Sequence, residues 1–410
     1  MKTHARQYKN PAPIYLLFLI LLSSGVIQFA LRPIPFAGPD SRKFLEIAAK
    51  QLEGNFWLQP EAFDGNYWSV GYPTFISLMQ RLMGTSMDNL QVLHIALGLL
   101  LIVLTWMLAA PLGAKMQVAA TAVVAFNPSF WAMSALAGYE VLLGVLIALA
   151  ALLTTRAWAR KSSPSTALLY ISSGFFLGLA ILVQSKALIV SLVFIVFWVW
   201  LSLRRSALGI TGMLIALFPW SLRNWVVLGT ANPFNTNGPI NVWIGNNPEQ
   251  VTGGFMDPPP LPPGTNGFLD AATQFVLDQP EKSAALLLRK IARMLEPLYF
   301  YYGEQGASPL QFAIHLLAIL FSIFLVTFFL LYLAGIIWRT VPNSHLVLFF
   351  ASVVTLFYLV NLPFITEARF MTPVLPLTSI VSLYVFQTLL DRWRSKNAEL
   401  ADHSEYRDMD

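Results

Sequence analysis

Ile14-Tyr-Leu-Leu-Phe-Leu-Ile-Leu-Leu-Ser-Ser-Gly-Val-Ile-Gln-Phe-Ala-Leu31 is uncharged throughout, and after a proline-rich corner it gives way to Gly38-Pro-Asp-Ser-Arg-Lys-Phe-Leu-Glu-Ile-Ala-Ala-Lys-Gln-Leu52. The first stretch is close to the roughly 20 residues a helix needs to cross a bilayer. The second turns amphipathic at Arg42. Phe44, Ala48 and Leu52 recur on one helical face, while Arg42, Lys43, Glu46, Lys50 and Glu53 are placed to meet water and lipid headgroups. Asp40 thus follows the end of a span at a membrane surface, where a carboxylate is placed to act as a base between lipid and water.

Working outward, the same character holds along all 410 residues. The chain is 56% hydrophobic and 11% charged, with a mean hydropathy of +0.61, which excludes a soluble globular domain. The absence of cysteine excludes disulfides and thiolate metal sites. The net charge of +5 is distributed between apolar runs rather than along a basic and aromatic groove, so nucleic acid is not an expected partner.

Candidate spans fall at 13–32, 89–111, 117–134, 139–155, 167–183, 187–203, 207–226, 311–338, 345–363 and 371–390, about ten in all. The first is too long for a signal-peptide core and reads as a retained helix. With ten crossings, Lys2, Arg6, Lys9, Lys115, Arg156, Arg160, Lys161, Arg204, Arg205, Arg339, Arg392, Arg394 and Lys396 share one side, which is then the cytoplasm. The long loops 33–88 and 227–310 lie on the other, periplasmic side. The expected fold is an all-α polytopic membrane protein of the bacterial inner membrane, one transmembrane domain over 1–396 with a disordered acidic cytoplasmic tail at 397–410.

Both outer loops carry amphipathic pieces expected to lie on the membrane lipids. Phe75, Ile76, Met79, Leu82 and Met83 make one apolar face. The second loop is helical from about Phe268 to Leu295 with a break at Pro280. There Ala284, Leu287, Leu288, Ile291, Met294 and Leu295 form the apolar stripe, and Lys282, Arg289, Lys290 and Arg293 the rest of the surface, a pattern suited to anionic headgroups. Tyr299, Phe300, Tyr301 and Tyr302 read as an interfacial aromatic belt. His94 and His315 read as hydrogen-bonded helix residues, having no second ligand at metal spacing.

Charges at membrane depth are costly, so they persist mainly where they are paired or face a cavity. Here Asp40, Glu140, Lys186, Arg223, Glu367 and Arg369 all stand at span ends on one side. No Walker, dinucleotide or zinc-protease motif is present, and no solenoid repeat. Gly245-Asn-Asn-Pro248 is either a structural turn or a loop that closes over a substrate.

Pro39-Asp-Ser41, Gly71-Tyr-Pro-Thr-Phe-Ile-Ser-Leu78, the acidic helix start at Glu140, Gly178-Leu-Ala-Ile-Leu-Val183, Pro219-Trp-Ser-Leu-Arg-Asn-Trp225, Asn237-Gly, Trp243-Ile-Gly-Asn-Asn-Pro-Glu-Gln-Val-Thr-Gly-Gly254 and Glu367-Ala-Arg-Phe-Met-Thr-Pro-Val-Leu-Pro376 occur in that order. In this the chain resembles the bacterial GT-C glycosyltransferases, with the protein O-mannosyltransferases and the lipid A aminoarabinose transferase.

The resemblance implies inverting transfer of a sugar from a polyprenyl-phosphate donor to a hydroxyl of a glycan, lipid or protein at the periplasmic face. Asp40 maps onto the family's general base and Glu140 onto its second acidic position. Lys186, Arg223 and Arg369 are candidates for the donor phosphate, and Asn224, Asn246, Asn247 and Glu367 for the substrate loop. Ser41 stands where the mannosyltransferases carry a second acid, and Gln184-Ser-Lys186 where relatives carry Arg-Pro, so Lys186 would supply a point charge without the guanidinium fork. Family members occur with and without a metal; oxygen ligands without cysteine suit magnesium or manganese. The competing readings are a transporter or flippase for lipid-linked saccharide, or a non-catalytic binding member. Charges at span ends rather than at the bilayer midplane favour the enzyme.

Overall fold

The computed structural model describes residues 12–30, 39–53, 55–59, 61, 63–134, 138–160, 163–296, 308–337 and 344–407. Lys2, Arg6, Lys9, Lys161, Arg339 and the Tyr299–Tyr302 aromatics lie outside the described residues. Every regular element among the described residues is helical. The first part of the chain forms α1 (Ala12–Ala30), α2 (Pro39–Gln51), α3 (Phe63–Asn66), α4 (Gly71–Met83), α5 (Met87–Ala109), α6 (Ala114–Ala125) and α7 (Pro128–Ser134). The middle forms α8 (Glu140–Trp158), α9 (Pro164–Val183), α10 (Ala187–Leu201), α11 (Leu203–Leu228) and α12 (Gly238–Gly245). Then come α13 (Phe268–Asp278), α14 (Pro280–Leu295), α15 (Pro309–Ile337), α16 (His345–Asn361) and α17 (Leu375–Arg407).

Seven of these, α1, α5, α8, α9, α11, α15 and α17, are long and apolar enough to cross a membrane. Three shorter apolar helices, α6, α10 and α16, fall at the remaining expected positions. Local sequence explains the boundaries. Ser86, Ser163, Ser202 and Ser344 cap α5, α9, α11 and α16 by accepting a backbone N–H, and Pro164 occupies the first turn of α9. The expected span 117–134 is two helices instead: Pro128 cannot continue α6, and Asn127 Oδ1 accepts from the Ser129 N–H at 2.9 Å to start α7. At the other end of the chain, α17 runs through Arg407, so the tail expected to be disordered is helical to that residue.

Among the spanning helices, α8 stands at the centre, buried along nearly its whole length and packed against α5 and α9. Helices α9 and α11 touch backbone to backbone. A Cβ at Gly174 would meet the Gly209 carbonyl oxygen at 1.8 Å, and one at Gly178 would meet the Met213 carbonyl oxygen at 2.7 Å. Small residues permit this approach, as in membrane helix pairs generally. Because the contacts advance together along both sequences, the two helices run parallel, and the end of α9 packs near Trp220 of α11. The two long loops dock onto that end of the bundle: the start of α4 presses on Leu182 and Val183, where a Cβ on Gly71 would come within 2.6 Å.

One amphipathic surface differs from expectation, that of α14. In α2, Phe44, Ile47 and Ala48 are buried while Arg42 and Glu46 are exposed, as the pattern requires. In α4 the buried face is Tyr72, Pro73, Ile76 and Ser77, leaving Leu82 and Met83 exposed. In α14 the buried row is Leu286, Lys290 and Met294, so Lys290, expected on the outer surface, is only 1% exposed and Leu288 points out. Its ammonium is accommodated by Asn246 Oδ1 at 2.9 Å and the Leu362 carbonyl at 3.0 Å, a capacity that hydrophobic periodicity does not reveal.

Candidate active site

The end of the bundle where the loops dock encloses a cavity of about 830 Å³. One wall is charged. It is built by the first turn of α2, the start of α8, the α9–α10 turn and a 3-10 turn at Ala368–Val374 that leads into α17.

At the centre of this wall is Arg369. Its Nε donates to Glu367 Oε2 at 2.6 Å and Nη2 to Asp40 Oδ2 at 3.0 Å, while Nη1 lies 3.4 Å from Glu140 Oε1. A planar guanidinium with five fixed donors is the group suited to joining three carboxylates from distant parts of a chain. The carboxylates differ in access. Asp40 is 39% exposed, Glu367 23% and Glu140 0%. Asp40 Oδ1 has no hydrogen-bond partner among the described residues, and Asp40 lines the cavity. Glu140 neither donates nor accepts a hydrogen bond there, and its Oε2 lies 2.2 Å from where a Cβ on Gly138 would stand. Glycine before this acid is therefore what makes room for it.

Lys186 immediately precedes α10 and lines the same cavity. Its ammonium donates to Asn361 Oδ1 at 3.0 Å and lies 4.3 Å and 5.0 Å from the ring centres of Phe364 and Phe370. Burial, with the Arg369 and Lys290 charges adding to it, pushes this lysine down to about 7. Tyr139, beside Glu140, is pushed up by burial and by that carboxylate, and its hydroxyl accepts from Gln184 Nε2 at 3.0 Å.

The rest of the polar lining carries no charge and adjoins the α9–α10 turn, where Ser185 bonds to Asn235. It comes from residues 67–69 and from the segment after α11, through Asn235, Asn237, Asn241 and Phe255.

No curated protein sequence matches the chain. The model of the family described as dolichyl-phosphate-mannose-protein mannosyltransferase matches residues 69–223, under half of the chain. Among solved structures, ArnT from Cupriavidus metallidurans bound to undecaprenyl phosphate superposes with a TM-score of 0.57 at 14% identity, over 92% of this chain and 60% of that one. The oligosaccharyltransferase AglB from Archaeoglobus fulgidus, in complex with an inhibitory peptide and a dolichol-phosphate, superposes with a TM-score of 0.55 at 14% identity, over 94% of this chain and 51% of that one. The chain has the GT-C glycosyltransferase fold. It is a multi-pass membrane protein spanning about 60% and 51% of the length of these two neighbours.

Within this GT-C fold, Asp40, Glu140, Lys186, Glu367 and Arg369 meet around one cavity. The other four expected residues do not line it. Arg223 Nε donates to the Trp57 carbonyl at 2.8 Å and Nη2 to that of Gln59 at 2.7 Å, while Nη1 donates to Asn224 Oδ1 at 3.0 Å. Asn224 is buried and donates to the Asn232 carbonyl at 2.6 Å. Asn246 donates to the Val242 and Pro363 carbonyls at 2.8 and 2.7 Å. Asn247 is buried and donates to the Trp243 and Ile244 carbonyls, each at 3.0 Å. Of the two readings of the Gly245–Pro248 turn, these bonds supply the structural one. His94 is a hydrogen-bonded helix residue, as expected: Nδ1 donates to the Leu90 carbonyl and Nε2 accepts from the Tyr72 hydroxyl, both at 2.8 Å.

Among the described residues no group of three or more His, Asp or Glu side chains is disposed to hold a metal ion. The three carboxylates surround the Arg369 guanidinium instead, and as arranged they do not fit magnesium or manganese. Asn235 and Asn241 line the cavity although no motif included them; the signal was the density of asparagine between 232 and 247.

Proposed function

We propose that the chain transfers a sugar from a polyprenyl-phosphate donor to an acceptor hydroxyl, with inversion, in this cavity on the periplasmic side of a bacterial inner membrane. The observation that carries the reading is the Arg369 cluster. It places an accessible carboxylate, Asp40, and a cation, Lys186, on one wall of a space large enough for a sugar phosphate. A donor with its tail in the bilayer presents its reacting carbon at headgroup level, so catalytic groups belong at helix ends, where these stand. That ArnT and AglB hold undecaprenyl phosphate and dolichol-phosphate in the same fold supports a lipid-linked donor.

In the proposed step, Asp40 takes the proton of the acceptor hydroxyl as its oxygen attacks the anomeric carbon. The bond from that carbon to the phosphate oxygen breaks on the opposite face, and its electron pair leaves on the phosphate. The products are the glycosylated acceptor and polyprenyl phosphate. Lys186, as the ammonium, and Arg369 meet the charge that grows on the leaving phosphate. Glu140, buried behind Arg369, positions the guanidinium rather than touching the acceptor. The test is reconstitution of the protein with polyprenyl-phosphate sugars and an acceptor extract. Release of polyprenyl phosphate is the expected result; lipid uptake or translocation with the sugar still attached would overturn the reading.

A further inference from the structure

The uncharged wall of the cavity is as specific in its chemistry as the charged one. Asn241, on α12, lines the cavity half-buried, and its amide makes no hydrogen bond with the described residues. Asn237, one helical turn earlier, accepts from Asn235 Nδ2 through its oxygen and leaves its own NH₂ available. Asn235 is held in turn by Ser185, which donates to its side-chain oxygen and accepts from its backbone N–H at 3.2 Å. This chain of bonds fixes Asn237 in place against the α9–α10 turn, and the Asn241 backbone N–H donates to the Asn237 carbonyl at 3.2 Å within α12.

An amide offers donors and an acceptor side by side, the complement of adjacent sugar hydroxyls. Phe255, 54% exposed at the same wall, offers an apolar face to the C–H side of a ring. Glu249 is the only charged residue between 229 and 256, and it does not line the cavity. The side chains of this stretch themselves offer an ionised sugar amides and a ring but no counter-charge.

We infer that Asn237 and Asn241 form a selecting wall for an uncharged, hydroxyl-rich sugar ring, resting on the reading of this cavity as a glycosyl-transfer site. Donor and acceptor can both bring such a ring. The wall discriminates against uronic acids and amino sugars, while the Asp40, Arg369 and Lys186 wall deals with the proton and the phosphate.

The experiment uses the full chain in nanodiscs and measures binding of four probes: bare polyprenyl phosphate, the same lipid carrying a neutral hexose, the same lipid carrying a uronic acid or amino sugar, and a free methyl hexoside. With the donor's ring on the wall, the neutral hexose lipid binds about tenfold tighter than the bare lipid, the worth of one or two neutral hydrogen bonds, and the charged sugars gain nothing. Asn241→Leu removes the gain and leaves the bare lipid unchanged; Asn241→Gln keeps part of it, showing that the amide and not the fold is at issue. If the ring is the acceptor's, the lipid sugars show no gain, but methyl hexoside binds the bare-lipid complex and Asn241→Leu abolishes that binding. Hexoside binding lost in Asn241→Leu with no lipid bound at all would defeat the proposed function and keep the wall. Equal binding of every sugar, or identical sugar affinity in wild type and Asn241→Leu, would overturn the wall itself.

Discussion

Arg369 and Arg223 were both expected to hold phosphate, and each makes three polar contacts through its guanidinium. Arg369 directs them to three carboxylates in a cavity wall, whereas Arg223 directs them to two backbone carbonyls and one amide oxygen outside it. The Arg223 guanidinium also lies 4.9 Å from the Trp220 ring centre. It staples the first outer loop, at Trp57 and Gln59, to the end of α11. The difference teaches that a cation's residue type and place at a helix end do not state its work; its partners do. Carboxylates from separate elements gather only where a fold holds charge together, and carbonyls gather wherever backbone needs fixing.

The comparison breaks most visibly at the base. Asp40→Asn keeps a hydrogen-bond acceptor for Arg369 but cannot take a proton, so turnover should fall about 100- to 10,000-fold with donor binding retained. Release of polyprenyl phosphate measures it, and turnover within tenfold of wild type would remove Asp40 from the mechanism.

Next is Arg369→Met, which leaves Glu140 as a buried carboxylate without its counter-charge. A loss of about 3–5 kcal/mol of stability is expected, read as a lowered Tm in nanodiscs. Adding Glu140→Gln to that variant should recover most of the loss, since the cost lies in the stranded charge.

Lys186 sharpens the comparison through pH. As a base pushed down to about 7, it is an ammonium below that pH and neutral above it. Donor KM should therefore rise as pH goes from 7 to 9, and Lys186→Arg should flatten the profile, because guanidinium stays charged. At pH 6, Lys186→Ala should raise donor KM roughly 10- to 100-fold, the worth of one charge-assisted contact.

The smallest effect on chemistry is expected at Arg223. Arg223→Met should cost about 1.5–3 kcal/mol of stability through its lost carbonyl contacts. At a temperature where the variant stays folded, turnover should stay within about threefold of wild type. A hundredfold loss of turnover with an unchanged Tm would return Arg223 to the phosphate site.

How much was legible follows the physics of each signal. Apolar runs were readable because each must satisfy its backbone internally; seven of the ten expected are helices long and apolar enough to cross a membrane, and the other three coincide with shorter apolar helices. The break at Asn127-Pro128 was written in plain turn chemistry and overridden by counting apolar length. Lys290 was misplaced because a lysine in an amphipathic pattern is normally solvated; two neutral oxygens from Asn246 and Leu362 reverse that here. The amide wall was invisible because asparagine in a loop reads as a turn former, and only its side-chain neighbours tell a satisfied amide such as Asn247 from a free one such as Asn241.

By itself the sequence determined that this protein lives in a membrane, that it is helical, and that its costly charges sit at span ends, because transfer free energies and hydrogen-bond demands act on local stretches. Only the tertiary structure decided which of those charges share a site. Asp40 and Arg369 are 329 positions apart and meet at 3.0 Å through the packing of α2, α8 and the turn before α17, while Arg223, in the last turns of α11, bonds to the Trp57 and Gln59 carbonyls instead. Coulomb interactions depend on distance in space, and no period or motif along the chain encodes that distance.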